Sequence, residues 1–424
     1  MRNGAAAVSD GTAGRSRSAA TPLSQAEFAT NEGELALANL SAQIAAQEGV
    51  QRKTKSVEPN GYMAVLHVLR AQMTGSVADL REARRLADEL LKAQPTSALA
   101  WHSHALVMKA LHRFDDATHD LDQAVKLGEP AGPLLRERMA IDQARGRNEE
   151  AVFSYRQDEA RQFPTIENLG AYAIVLGDRG DLSAAKKHFA AAQAAYRDVS
   201  PFPFTTIYFN EGYLEQRSGS PARARELFSA AHDRLPGNRQ VVAHLASVLA
   251  VTGAKDRAQA LLGPLADADD PEYEGQLAAL LADTDKARAA TLRADAAKRY
   301  ELLLEEFRLT YADHAARFYL STGEAADGKK ALDLARVNLV NRQTLDAQRL
   351  VVDAALAAGD AKLACATADA ITKRFYVPPE AHVTASKAYA ACGQKDRADQ
   401  EISAMSVPRS ATAPATAPAV AAGQ

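Results

Sequence analysis

Small and large apolar residues alternate with polar ones at a fixed interval along most of the chain. Alanines lie 34 residues apart, and the same interval recurs twice further on: Ala83, Ala117, Ala151, Ala185; Ala224, Ala258; Ala364, Ala398. An apolar residue follows many of them one helical turn later: Leu121, Tyr155, Phe189, Phe228, Leu262, Ile402. This spacing predicts helices that touch at the alanines and fill the gap with the larger side chain. Ala151→Arg is therefore expected to unfold neighbouring repeats.

The breaks between these helices are regular too. A glycine stands five residues before six of the alanines, where a tight turn needs positive φ: Gly146, Gly180, Gly219, Gly253, Gly359, Gly393. Prolines mark the longer connections: Pro95, Pro130, Pro164, Pro236, Pro271. Together they predict an all-α solenoid of about nine to ten antiparallel helix pairs.

These residues resemble the tetratricopeptide repeat. One copy has the family's order and spacing in Trp101, Ala105, Ala117, Leu121, Ala124 and Pro130. A second has Tyr208, Gly212, Ala224, Phe228, Ala231 and Pro236, and a third has Ala173, Ala185, Phe189 and Ala192. The resemblance covers about residues 60 to 405 and implies a right-handed superhelix. Met139 and Asp158 depart from the pattern, and the register is least defined from Ala258 to Ala331. The stretch 311–320 is similar to a segment of bacterial repeat proteins of unassigned activity.

The chain divides into four segments by composition. Residues 1–22 and 407–424 are rich in small and polar residues or in Ala, Pro and Thr, and we expect both to be disordered. Residues 23–48 carry Leu35, Leu37, Leu40 and Ile44 and predict an amphipathic helix. It caps the solenoid of residues 49–406, or else docks with another chain or in the protein's own groove.

Charge and hydropathy restrict the partners. The net charge of −3 and a pI near 6.4 provide no basic stripe, so nucleic acid is not expected. No apolar run reaches the length of a membrane span or of a secretory signal. A complete chain should be cytoplasmic, whereas a chain that lacks its signal would be periplasmic or exported.

The two cysteines bear on that alternative. Cys365 is expected inside the second helix of one pair and Cys392 at the end of the first helix of the next. Their Cα atoms should then lie within about 7 Å, the limit for a disulfide. Two idle thiols are expected in a reducing compartment and a disulfide in an exported protein.

The sequence contains near-matches to catalytic and cofactor motifs, and each lacks a residue or a spacing that the chemistry requires. Residues 323–330 nearly spell a phosphate-binding loop, but Lys330 stands where a hydroxyl is required and a helix precedes the segment. His102, His104, His112 and His119 crowd one repeat at spacings that cannot share a metal within one helix. We expect neither enzyme activity, nor a cofactor, nor a metal site.

The resemblance instead implies binding of another protein or peptide, since the first helix of each pair lines the concave face in this family. Carried onto this sequence, the groove positions are His102, Leu106, Lys109, Arg136, Gln143, Phe209, Tyr213, Gln216, Asp313, Arg317, Arg349 and Asp353. Phe202, Phe204, Tyr208, Phe209 and Tyr213 form a central aromatic cluster, either an anchor for a partner or packing between repeats. The expected function is a protein interaction scaffold. The alternative is a small-ligand-binding or accessory subunit of an enzyme complex that uses this cluster.

Overall fold

The computed structural model describes residues 33–266 and 270–405, and the regular elements within them are helices. The first eleven are α1 (Gly33–Thr54), α2 (Pro59–Thr74), α3 (Val77–Ala93), α4 (Ala98–Ala110), α5 (Phe114–Lys126), α6 (Ala131–Arg145), α7 (Glu149–Gln162), α8 (Ile166–Asp178), α9 (Leu182–Ala195), α10 (Pro201–Arg217) and α11 (Pro221–Arg234). The others are α12 (Arg239–Val251), α13 (Lys255–Leu262), α14 (Glu272–Leu281), α15 (Lys286–Glu306), α16 (Arg308–Thr322), α17 (Ala325–Asn341), α18 (Leu345–Ala357), α19 (Ala361–Thr372), α20 (Pro379–Ala391) and α21 (Lys395–Ala404). A 3₁₀ turn, Gly263–Leu265, follows α13.

Local sequence signals account for the helix ends. The predicted turn glycines all have positive φ, and His112 takes the same position in its repeat with φ 55°. Many first helices start at a capping side chain: the hydroxyl of Ser97, for example, accepts a hydrogen bond from the backbone N–H of Ala100.

Helices α2 to α21 form ten consecutive pairs. The two helices of a pair pack against each other, and most first helices also contact the first helix of the next pair. The first helices therefore form the inner layer of the stack and the second helices the outer layer. This arrangement confirms the all-α solenoid of helix pairs.

Most of the periodic alanines are buried where helices meet, but Ala151 is not. Ala83, Ala117, Ala185, Ala224, Ala258 and Ala364 have no exposed surface, and Ala398 is buried as well. In the third pair the buried face of α7 consists of Val152, Arg156 and Ala160, one residue later than the pattern predicts. Ala151 consequently faces solvent, and the expectation that Ala151→Arg unfolds neighbouring repeats is wrong.

In the irregular stretch from Ala258 to Ala331, the second helix of one pair is short and the second helix of the next pair is long. Helix α13 has 8 residues and α15 has 21. Ala289 and Ala296 of α15 are both buried, so the long helix keeps its apolar contact while the alanine interval changes.

The stack curves until its later pairs touch its earlier ones, along a contact that we call the seam. The backbone N–H of Gln343 donates to the carbonyl of Arg145 at 2.7 Å, and the Asn341 amide donates to the carbonyl of His112 at 3.0 Å. The hydroxyl of Thr310 donates to the carbonyl of Leu111 at 2.8 Å. Apolar residues between 63 and 141 and between 296 and 398 belong to one continuous core. The seam thus joins the second and third pairs to the eighth pair and to the connection that follows it.

Helix α1 covers the first pair. Leu40 and Ile44 are buried against Leu66 of α2, and Phe202 of α10 packs against the same cluster. The helix therefore contacts both the start of the stack and its middle. Residues 1–32 and 406–424, which include both segments expected to be disordered, lie outside the described residues.

The two cysteines occupy the expected positions. Cys365 lies in α19, and Cys392 follows the last residue of α20. Their Cα atoms are 6.6 Å apart and their sulfur atoms are within bonding distance. The distance expected from the sequence is therefore observed.

Candidate functional site

The predicted groove residues of the early pairs are held by partners in neighbouring helices. Nδ1 of His102 lies 2.7 Å from a carboxylate oxygen of Glu129, and Lys109 forms an ion pair with Glu137. Similar contacts join Arg136 to Glu159 and Gln143 to Arg156, and Leu106 is half-buried. Lys109 thus ties the second pair to the third, whereas Arg136 and Gln143 join the two helices of the third pair.

The aromatic residues of α10 pack on the concave face. The rings of Phe209 and Tyr213 are parallel with centroids 6.5 Å apart, and the His244 ring stands perpendicular to both. Both aromatic side chains are half-buried, while Phe204 is fully buried. The cluster therefore serves largely as packing, while Phe209 and Tyr213 keep part of their surface exposed.

Tyr213 also crosses the concave face. Its hydroxyl donates a hydrogen bond of 2.6 Å to Asp346, at the start of α18, four pairs further along the stack. Burial and the Asp346 carboxylate both raise the pKa of Tyr213, so the phenol remains protonated as the donor. This bond brings the middle of the stack against its later pairs.

Ionisable residues of the later pairs collect beside this bond. Asp313 pairs with Arg342 at 3.4 Å, and Arg349 pairs with Glu380 at 2.6 Å. Asp353, one turn beyond Arg349, is half-buried, and burial raises the pKa of its carboxyl group. The structure therefore groups the predicted residues of α10, α16 and α18, and ties those of α4 and α6 to other partners.

Arg317 is the unusual member of this group. Its side chain is exposed on the concave face and forms no hydrogen bond or ion pair with the described residues. It lines a cavity of about 170 Å³ together with Glu272, Gln276, His314 and Ser321. Burial lowers the pKa of His314, but the carboxylates of Asp313 and Glu272 outweigh it and raise the value to about 10. The cavity therefore contains two cations and one carboxylate at neutral pH.

Several residues of this site were not identified from the sequence: Asp346, Glu380, Glu272, His314, His244 and Arg217. Asp346 and Glu380 are each the second residue of their helix, α18 and α20, and Asp346 lies three residues before the predicted groove position Arg349. Recurrence of acidic residues at this offset was the available signal. The other four residues reach the site because the stack curves, and no local sequence pattern indicates this curvature.

No metal or membrane chemistry is evident in the part of the chain that the structure describes. Groups of three or more His, Cys, Asp or Glu side chains placed to hold a metal ion are absent from residues 33–266 and 270–405. Within the same ranges, no helix has both the length and the apolar character needed to cross a bilayer.

Comparison with known proteins supports the repeat assignment. Residues 216–283 match the sequence profile of the Tetratricopeptide repeat, whereas no curated protein matches the chain. Among solved structures, the Cut9–Hcn1 assembly of the APC/C matches with 14% identity over 81% of this chain and 63% of that chain, at a TM-score of 0.45. Yeast Tom70 matches with 13% identity over 90% and 95%, at a TM-score of 0.31.

A tetratricopeptide repeat protein from Parabacteroides merdae matches with 16% identity over 57% of this chain and 93% of that chain, at a TM-score of 0.32. TM-scores below 0.5 give no further support to the helix-pair geometry, which rests on the structure of this chain. Residues 216–283 are thus similar to the tetratricopeptide repeat, and the ten stacked pairs continue the same helix-pair architecture through the described residues.

Proposed function

We propose that this protein is a non-enzymatic interaction scaffold that holds a segment of another protein on its concave face. The observation that carries the proposal is the unpaired, exposed guanidinium of Arg317 among the first helices of the later pairs. A guanidinium offers five N–H donors in a fixed geometry, and here no described side chain accepts from them. The backbone carbonyls or carboxylates of a partner segment would supply the missing acceptors.

The proposed site is centred on α14, α16 and α18. The groove positions of α4 and α6 contribute less, because partners within the chain already occupy His102, Lys109, Arg136 and Gln143. Phe209 and Tyr213, which are half-buried, form its rim. Partner binding therefore depends on Arg317 more than on the early repeats.

Affinity capture from the native organism tests this proposal. Proteins captured by wild type are compared quantitatively with those captured by Arg317→Gln and by Arg288→Gln. Arg288 is exposed on the outer helix α15, so its variant removes the same charge away from the concave face. We expect Arg317→Gln to lose partners that Arg288→Gln retains. Identical capture by both variants would show that the concave face around Arg317 does not bind these partners.

A second candidate function is the binding of a compact molecule, as an accessory subunit of an enzyme complex would do. The observation that favours it is the bond from Tyr213 to Asp346, which spans the concave face beside the cavity at Arg317. Native mass spectrometry of protein purified from its own host distinguishes the two. A stoichiometric small molecule that is absent from Arg317→Gln would favour this candidate, and a mass equal to that of the polypeptide would count against it.

A further inference from the structure

The seam encloses a second cavity, which shares Arg217 and Asp346 with the concave site but not Arg317. Its volume is about 180 Å³, and it lies where α6, α7, α8 and α10 meet the segment from Arg342 to Pro378. Five arginines line it: Arg147, Arg179, Arg217, Arg342 and Arg374. Only three carboxylates do so: Glu149, Asp178 and Asp346. Its lining therefore has a formal excess of positive charge.

In the described ranges, four of these five arginines form ion pairs with carboxylates, and Arg147 does not. Arg374 pairs with Glu149 at 2.7 Å, and Arg217 pairs with Asp178 at 2.8 Å. Arg179 and Arg342 pair with Glu150 and Asp313, which lie outside the lining. The side chain of Arg147 is half-buried and forms no hydrogen bond or ion pair with the described residues.

Arg217 is also incompletely satisfied. Its Nε is buried, and no acceptor lies within hydrogen-bond distance among the described residues. Buried donors normally have an acceptor, and an unpaired one costs about 1 to 3 kcal/mol. The seam cavity is therefore rich in donors and poor in acceptors, which favours a ligand with anionic oxygens.

The other side of the cavity is apolar. Phe153, Val175, Leu345 and Pro378 line it, and the Arg179 guanidinium stacks 4.0 Å above the Phe153 ring. Free phosphate would make no use of these side chains, whereas an acidic residue beside an apolar one in a peptide would use both walls.

We infer that the seam cavity binds an acidic segment of a partner protein, with an Asp or Glu carboxylate on Arg147 and a neighbouring apolar side chain against Phe153. Residues 406–424 contain no Asp or Glu, and the three acidic residues of residues 1–32, among them Glu27 beside Phe28, are offset by three arginines. A net acidic segment of a partner therefore matches the excess of arginine better than either end of the chain. The inference rests on the proposed function in that the ligand is a protein, but the site is separate from Arg317.

Fluorescence anisotropy with a defined probe tests the inference on the full chain. The probe is a labelled eight-residue peptide that alternates Glu and Leu, and its matched control replaces every Glu by Gln. We expect the Glu peptide to bind about tenfold more tightly, as charge-assisted hydrogen bonds predict. Arg147→Gln should remove most of that difference.

Arg161→Gln is the control variant, because Arg161 is exposed at the end of α7, where it pairs with Asp158, and it does not line the cavity. It should bind the Glu peptide like wild type. Thermal melts equal to wild type will show that both variants are folded.

Three results would overturn the inference: equal binding of the Glu and Gln peptides, equal binding by wild type and Arg147→Gln, and displacement of the peptide by millimolar inorganic phosphate. The last would assign the cavity to free phosphate. Arg317→Gln should leave peptide binding unchanged. A loss of peptide binding in Arg147→Gln together with unaltered partner capture by Arg317→Gln would support the seam site and reject the concave one.

Discussion

Ala185 and Ala151 occupy equivalent positions in the sequence pattern and opposite environments in the structure. Ala185 has no exposed surface, while Ala151 faces solvent. An arginine at Ala185 would force α8 and α9 apart and bury a charge, at a cost of about 4 kcal/mol or more. We expect Ala185→Arg to abolish or strongly destabilise folding and Ala151→Arg to change stability by less than about 1 kcal/mol. Urea unfolding followed by circular dichroism measures both, and similar midpoints would contradict the burial described above.

His112 makes the seam sensitive to acid. Burial lowers the pKa of its imidazole from its ordinary value of 6.5 to about 4, and its Nδ1 is buried without a partner among the described residues. The unfolded chain therefore binds a proton first, and stability is lost as the pH falls from about 6.5 towards 4. The loss should reach about 2 kcal/mol at pH 4.5. His314 does not interfere, because its pKa is raised to about 10 and its contribution is lost only as the pH rises from about 6.5 to 10.

His112→Asn isolates this effect, since asparagine tolerates the positive φ of the position. The free energy of unfolding of the variant should fall less steeply between pH 6.5 and 4.5 than that of wild type. Parallel pH profiles would show that His112 is not buried at the seam.

At the scale of the element, the end of the stack is fastened covalently if Cys365 and Cys392 are oxidised. Their sequence separation is 27 residues, and closing a loop of that size stabilises the folded state by about 3.5 kcal/mol in the chain-entropy model. We expect reductant to lower the melting temperature of wild type and to leave Cys392→Ser unchanged. Alkylation of the denatured, unreduced protein followed by mass spectrometry should find no free thiol. Two alkylated thiols and an unshifted melting curve would be inconsistent with a bond at this position.

The helix pairs could be predicted because each one repeats the same local pattern. A small residue, a larger one a turn later and a glycine at the turn specify a pair without reference to the rest of the chain. The shift in α7 was not predicted, because Val152 beside Ala151 offers an equally apolar alternative and only packing decides between them. The bond from Tyr213 to Asp346 was missed because it joins helices four pairs apart.

At the scale of the whole molecule, the seam is the feature that the repeat pattern does not contain. It depends on the small rotation between successive pairs, summed over the stack, and residues such as Arg145 and Gln343 meet through backbone atoms that carry no sequence signature. The groove positions could be selected by family resemblance, but which of them remain available depends on this curvature.

Gly146 and Gly219 allow the seam to be tested with matched substitutions. Both have positive φ, so alanine costs about 1 kcal/mol at either position. A Cβ atom at Gly146 would lie 2.9 Å from the backbone of Gln343, whereas one at Gly219 would meet no atom within 4 Å. Gly146→Ala should therefore destabilise the protein by about 1 to 2 kcal/mol more than Gly219→Ala. Equal losses would mean that the third pair and the segment after the eighth pair are not in contact at Gly146.

Hydrogen exchange at one backbone amide tests the closed stack most directly. The N–H of Gln343 lies between α17 and α18, and its bond to the carbonyl of Arg145 is its protection from solvent. We predict that it exchanges at least about a hundredfold more slowly than an unstructured amide and that Gly146→Ala, but not Gly219→Ala, accelerates it. Exchange of the Gln343 amide at the unstructured rate in the wild-type protein would show that the stack is open and would contradict the seam.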